Sequence, residues 1–184
     1  MKRIHACVAL TALILVLPVV ASANWEEGRN YFGPSIGLSF LGSAPQFGLN
    51  FEHAIETESM GTVGIGGLFR YWSYSEDFGS FFGASLGKWK YSNLIIGVQG
   101  NYHFVLDNET IDPWLGLTLA YNVASVSWDG DDEDSYSSPS AGGMWLAAGA
   151  GMRYFVNPNM AVVGRLSFGS LSYGALDVGL DFAF

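Results

Sequence analysis

The chain has 184 residues, of which only 14% are charged; 17 acidic residues face eight Lys and Arg, for a net charge of −9. A soluble domain carries about 25% charged residues, so this composition makes a poor water-facing surface, and its acidic balance argues against nucleic acid as a partner. The length suits one domain rather than two, and a single cysteine excludes a disulfide framework.

The first 23 residues, MKRIHACVALTALILVLPVVASA, place Lys2 and Arg3 before an apolar run from Val8 to Val20 that ends in Ala21-Ser22-Ala23. This is the pattern of a secretory signal peptide over residues 1–23, with cleavage expected after Ala23. The run is short for a membrane helix and contains Pro18. Cys7 precedes the apolar region, which argues against lipoprotein processing. The remaining segment, 24–184, keeps six of the eight cationic residues and all 17 acidic ones, so its net charge is −11. No apolar run in it approaches the ~18 residues of a helical span. An exported, apolar, aromatic-rich chain without a spanning helix predicts a closed barrel in the bacterial outer membrane.

From residue 31 onward, large apolar residues alternate with small or polar ones. That two-residue period predicts strands with one greasy and one polar face. The apolar set is Phe32, Pro34, Ile36, Leu38 and Phe40, then Phe47, Leu49, Phe51, His53 and Ile55, then Val63, Ile65, Gly67, Phe69 and Tyr71. Leu94, Ile96, Val98, Gly100, Tyr102 and Phe104 follow, and after them Leu115, Leu117, Leu119, Tyr121 and Val123. The last three segments carry Met144 to Tyr154, Val162 to Phe168 and Leu176 to Phe182 at even positions. Eight strands predict an all-β, eight-stranded antiparallel up-and-down transmembrane β-barrel with both ends on the periplasmic side. Short turns are expected at 57–60, 106–112 and 156–159, and outward loops at 41–45, 75–91, 127–143 and 169–173.

Alternation alone also suits a soluble ligand-binding barrel with its apolar face inward. Three features point the other way. The polar face is mostly Gly, Ser, Thr, Asn and Ala, whereas a soluble exterior is about 25–35% charged. Apart from the titratable His53, no charge lies on the apolar face. Aromatics on that face gather at both ends: Phe40, Phe47, Tyr71, Tyr121 and Phe168 at one, and Phe32, Tyr102, Phe104, Tyr154, Phe182 and Phe184 at the other. Two such girdles suit two membrane interfaces.

The terminal stretch VGLDFAF, with Val178, Leu180, Phe182 and Phe184 on one face, is the most specific element. On it, and on the pattern of the whole segment after the leader, the chain resembles the small eight-stranded barrels of the OmpX, Ail and opacity-protein group of porin-family proteins, and the barrel half of OmpA. The resemblance implies that these four residues form the signal read by the barrel-assembly machinery, and that lipid and lipopolysaccharide are partners. No peptidoglycan-binding domain of the OmpA kind is expected to follow.

Glu52, Asp177, Asp181, Arg70, Arg153 and Arg165 have inward parity. Buried charges need partners, and an eight-stranded lumen is just wide enough for its side chains to fill. The reading is a salt-bridged plug, joined by His103, Gln99, Asn50 and Asn101; a gated ion path is the alternative. One pair is specific. Antiparallel pairing about a loop centred near Leu171 sets Arg165 opposite Asp177, so their charged groups are expected to meet.

No catalytic residues are expected. Lipid A chemistry needs a base near the outer leaflet, yet His53 and His103 fall near the periplasmic end and no outward loop holds a histidine. Asp129, Asp131, Asp132, Glu133 and Asp134 lack the glycine and later glutamate of a calcium loop and read as a solvated tip, so neither metal nor cofactor is expected. Phe78, Phe81, Phe82 and Trp89, with Lys88 and Lys90, either touch lipopolysaccharide or an extracellular protein partner, or extend the girdle. The function expected is a structural or surface-interaction barrel. A narrow pore for small solutes or ions is second and a lipid A-modifying enzyme third.

Overall fold

The computed structural model describes residues 25–57, 61–77, 80–81, 84–85, 87–129, 140–171 and 173–184. Eight long strands carry the fold: β1 (Asn30–Ser39), β2 (Ala44–Thr57), β3 (Gly61–Asp77), β4 (Lys88–His103), β5 (Ile111–Asp129), β6 (Ser140–Asn157), β7 (Met160–Gly169) and β8 (Gly174–Ala183). Each pairs antiparallel with its neighbours in sequence, and β1 pairs with β8 to close the barrel. The seam is finished by reciprocal backbone hydrogen bonds between Asn30 and Phe184. Among the described residues the ring is closed along the height its eight strands share, which spares lipid an open edge there, where an unpaired backbone group costs several kcal/mol.

The even and odd residues separate as the period demands. Ile36, Phe47, Leu117 and Leu146 are each more than 60% exposed, whereas Glu52, Asp177 and Asp181 are each 2% exposed. The barrel is inside-out relative to a soluble one. An unbroken apolar exterior with the charges inside lies in lipid, not in water.

Several strand ends differ from the expected turns. β5 begins at Ile111, so Asp112 is a strand residue with its side chain buried inside, not part of a periplasmic turn. The first outward loop is only a short 3-10 turn, Leu41–Ser43. Gly42 sits there at φ 74°, where a Cβ would run into the Tyr74 ring. The second and third outward loops are shorter than expected, because β3, β4 and β5 run on as far as the rungs Asp77↔Lys88 and Lys88↔Asp129. β6 likewise rises past β7, whose last rung is Ala147↔Gly169. The wall is therefore taller over β3 to β6 than over β1, β2, β7 and β8. The last outward loop turns at Leu171, which has φ 60°, a left-handed value that is costly for leucine.

The lumen network as candidate functional site

The lumen is built in layers from the end holding the termini. The lowest is a strap, residues 25–29, that crosses the mouth before β1 begins. Gly28 N–H donates to Ala54 O, and Arg29 donates to Glu26 Oε2, to the Pro158 carbonyl at 3.0 Å and to Asn159 Oδ1 at 2.6 Å. The strap seats Trp25 inside. Its ring stacks on Tyr31 at 4.4 Å and on His103 at 3.7 Å, and the Arg153 guanidinium carbon lies 4.7 Å from the ring centre. Tyr31, Ala54, Phe155, Ala161 and Ala183 complete this layer.

Directly above lies the densest charge cluster. Arg153 of β6 donates from Nη2 to Glu52 on β2, from Nη1 to Asp112 on β5 at 3.1 Å, and from Nε to Asp181 on β8 at 2.7 Å. One guanidinium thus ties carboxylates from three other strands across the axis, which its planar fork of five donors permits. Arg165 of β7 donates to both oxygens of Asp181, at 2.8 and 2.9 Å. Asn101 Nδ2 donates to Glu52 Oε1 at 2.6 Å. Gly64 leaves the room Glu52 occupies, since a Cβ there would overlap the carboxylate. His103 closes the cluster: Nδ1 is 2.7 Å from Asp112 Oδ1 and Nε2 is 3.2 Å from Glu52 Oε1. Both contacts are hydrogen bonds only when both ring nitrogens carry protons.

A second ion pair sits higher. Arg70 Nε donates to Asp177 Oδ2 at 3.2 Å, and its other donors reach Asn50 Oδ1 and the carbonyls of Leu49 and Phe69. Gln46 gives its amide N–H to Asp177 Oδ1 and accepts from the Tyr173 hydroxyl at 2.6 Å. The top layer is apolar. Trp72 stacks on Tyr173 at 4.5 Å, Trp145 meets that ring edge-on at 4.9 Å, and Leu68, Ile95 and four alanines fill the remainder.

Arg165 and Asp177 stand opposite each other in the β7–β8 register, but they do not bond. Asp177 takes Arg70 and Gln46, and Arg165 turns down to Asp181. The intervening residue on that face of β8 is Gly179, which offers no side chain to block the long arginine stem. The expected contact is therefore corrected to two others, Arg70–Asp177 and Arg165–Asp181. Glu52, Arg153, Arg165 and Asp181 form one cluster; Arg70 and Asp177 form another. Among the members outside the plug expected from sequence are Gln46; Asp112, hidden by its assignment to a turn; Trp25, which precedes any alternation; and Tyr173, placed in a loop.

The terminal residues Val178, Leu180 and Phe182 point outward on β8, and Phe184 is exposed at the seam. Trp89 lies on β4 rather than in a loop and packs edge-on against Trp128 at 4.9 Å. Phe81 belongs to a two-residue ribbon, Ser80–Phe81 with Ala84–Ser85. Phe78, Phe82 and the acidic stretch 131–134 lie outside the described residues.

No protein-family model matches the chain, and no curated protein matches it in sequence. Crystal structures match it in shape. The N-terminal β-barrel domain of OprF from Pseudomonas aeruginosa has a TM-score of 0.57 at 15% identity, covering 86% of this chain and 98% of that one. Ail, the attachment invasion locus protein of Yersinia pestis, in complex with the heparin analogue sucrose octasulfate, has a TM-score of 0.57 at 16% identity, covering 86% and 100%. The outer membrane protein OprG from Pseudomonas aeruginosa has a TM-score of 0.59 at 12% identity, covering 90% and 99%. Identities this low carry the fold and nothing finer. Closed in the same way, apolar outside and charged within, the chain is a transmembrane β-barrel with the fold of the small bacterial outer-membrane barrels.

Proposed function

We propose that the protein is an integral barrel of the bacterial outer membrane with a structural or surface-interaction role, its lumen closed by its own side chains. The observation that carries this reading is Arg153, fixed at the axis by carboxylates from three strands and lying between two aromatic layers. A path for ions along the axis has to break those contacts, and a buried charge that loses its partners is left at a cost of ~3–5 kcal/mol.

A non-enzymatic role is part of the proposal. His103 is held between Asp112 and Glu52, and His53 contacts Asn30 at the termini end, 3.0 Å away, so neither is a free base near the outer leaflet. Lipid and lipopolysaccharide are the partners of the apolar belt, and the assembly machinery is the partner of the β8 face ending at Phe184. An extracellular protein is the candidate for the loop end. A polyanion like the heparin analogue seen with Ail is disfavoured by a net charge of −9.

Conductance in planar bilayers tests the proposal. Refolded full-length protein is expected to give no steady current; a reproducible ion-selective step would establish the narrow pore instead. A mass shift in lipid A on expression would establish the enzyme.

A further inference from the structure

Four carboxylates and three guanidiniums share the lumen network: Glu52, Asp112, Asp177 and Asp181 against Arg70, Arg153 and Arg165. The charges balance only if His103 is the fourth cation, and its contacts agree, because both ring nitrogens face carboxylate oxygens. The same ring is the platform on which Trp25 lies, 3.7 Å between centroids and 12° from parallel, with the Arg153 guanidinium over the indole as well. An indole face stacks on a neutral ring too, but it attracts a cation more strongly, so the imidazolium adds to the stack a cation–π attraction that the neutral ring lacks.

We propose that residues 25–29 form a proton-held lid over the termini-side mouth: Trp25 stays seated while His103 is an imidazolium and lifts when the ring gives up its second proton. The groups that face His103 come from several elements. Glu52 approaches from β2, Asp112 from β5 and Arg153 from β6, with Tyr31 on β1 beneath Trp25 and Asp181 on β8 behind Arg153. From β3 the neighbour is Thr62, opposite His103 in register and without charge. Glu26 and Arg29 belong to the strap itself. When the proton leaves, one carboxylate oxygen faces a nitrogen lone pair, the carboxylates outnumber the remaining cations, and half of the cationic platform under Trp25 is gone. Protons have a route to the ring. A cavity of about 90 Å³ beside the strap is lined by Trp25, Thr62, His103, Asn108, Ile111 and Asp112, which is space for several waters at roughly 10–15 Å³ each. The clamps of Arg29 on Pro158 and Asn159 stay in place, so the lid hinges rather than unfolds.

The lid rests on the closed-lumen reading, but its readout is a ring contact rather than a current, so either can fail alone. The test is nuclear magnetic resonance of the full folded chain in detergent micelles, with 15N-histidine and protonated tryptophan, from pH 6 to pH 10. At pH 6 both His103 ring nitrogens should be protonated and a Trp25–His103 ring cross-peak present. As pH rises, the ring proton and most of the cross-peak intensity should disappear together. Asp112→Asn removes one acceptor charge and should move that event down by at least about one pH unit. His103→Gln should leave the strand spectrum intact with the Trp25 indole unseated at every pH. A Trp25 that stays seated over a neutral ring, a ring already neutral at pH 6, or an unmoved transition in Asp112→Asn would each overturn the lid; the wild-type titration decides even if a variant fails to fold.

Discussion

The two halves of the lumen solve the same packing problem with opposite chemistry. Toward the termini, charged side chains each have named partners on particular strands. Toward the loops, Trp72, Trp145, Tyr173 and small alanines fill the space by shape; the indole N–H groups of Trp72 and Trp145 have no partner among the described residues, as is also true of Trp25 and Trp114 lower down. A guanidinium bonded to carboxylates from β2, β5 and β8 accepts few other registers. An aromatic layer is judged mainly by volume, and volume-conserving exchanges in apolar cores are well tolerated. The charged half therefore specifies which strands meet and at what height, and the aromatic half seals.

If that division holds, Arg153→Met is the most damaging change. It takes one cationic partner from three buried carboxylates at once, leaving Asp181 only Arg165, Asp112 only His103, and Glu52 His103 and Asn101, and the loss is expected to reach the ~3–5 kcal/mol of one broken buried pair, read as the urea midpoint in detergent. Trp72→Leu in the other half should cost less; equal losses would erase the distinction. Next is a pair of double-mutant cycles. Asp177→Ala and Arg70→Ala should couple by about 1–3 kcal/mol, whereas Asp177→Ala and Arg165→Ala should be nearer to additive. Strong coupling in the second cycle would return Arg165 to Asp177 and remove Asp181 from its role. Smaller again is Tyr173→Phe, which keeps the ring in the seal but removes its hydrogen bond to Gln46; about 1 kcal/mol is expected. A much larger loss would show that the seal depends on polar specificity too. Smallest is Leu171→Gly, which touches neither half. It relieves a left-handed backbone at φ 60° and should stabilise by up to about 1 kcal/mol.

The same division explains what could be read in the sequence. Where the lumen is polar, as along β8 from Leu176 to Phe182, the alternation is clean and parity sorts each residue to its side. Where the lumen is apolar, both faces are bulky and the period vanishes. Tyr71-Trp72-Ser73-Tyr74 no longer alternates, so β3 ends there by pattern while its hydrogen bonds continue to Asp77. Asp112-Pro113-Trp114 fails within the charged half, because a tryptophan turns inward there beside the carboxylate and a proline outward, and it hid a carboxylate of the main cluster. The β7–β8 register was legible, because a short loop leaves few choices. The contacts were not, because an arginine stem spans more than one rung and selects among acceptors by geometry that no spacing records. Trp25 carried no signal at all, since its position is set by the strap and not by a strand.

The closing seam has a consequence for the order of assembly. Every strand pairs with its chain neighbour except at β1–β8, where the partners are separated by nearly the whole chain. Hairpins form locally, whereas bringing the two ends together carries the largest loop-closure cost. The three carboxylates of Arg153 sit on β2, β5 and β8, which surround one axis only after that closure. Until then the open sheet keeps these charges hydrated, so the final rung both shuts the wall and strips water from the whole cluster in one cooperative event.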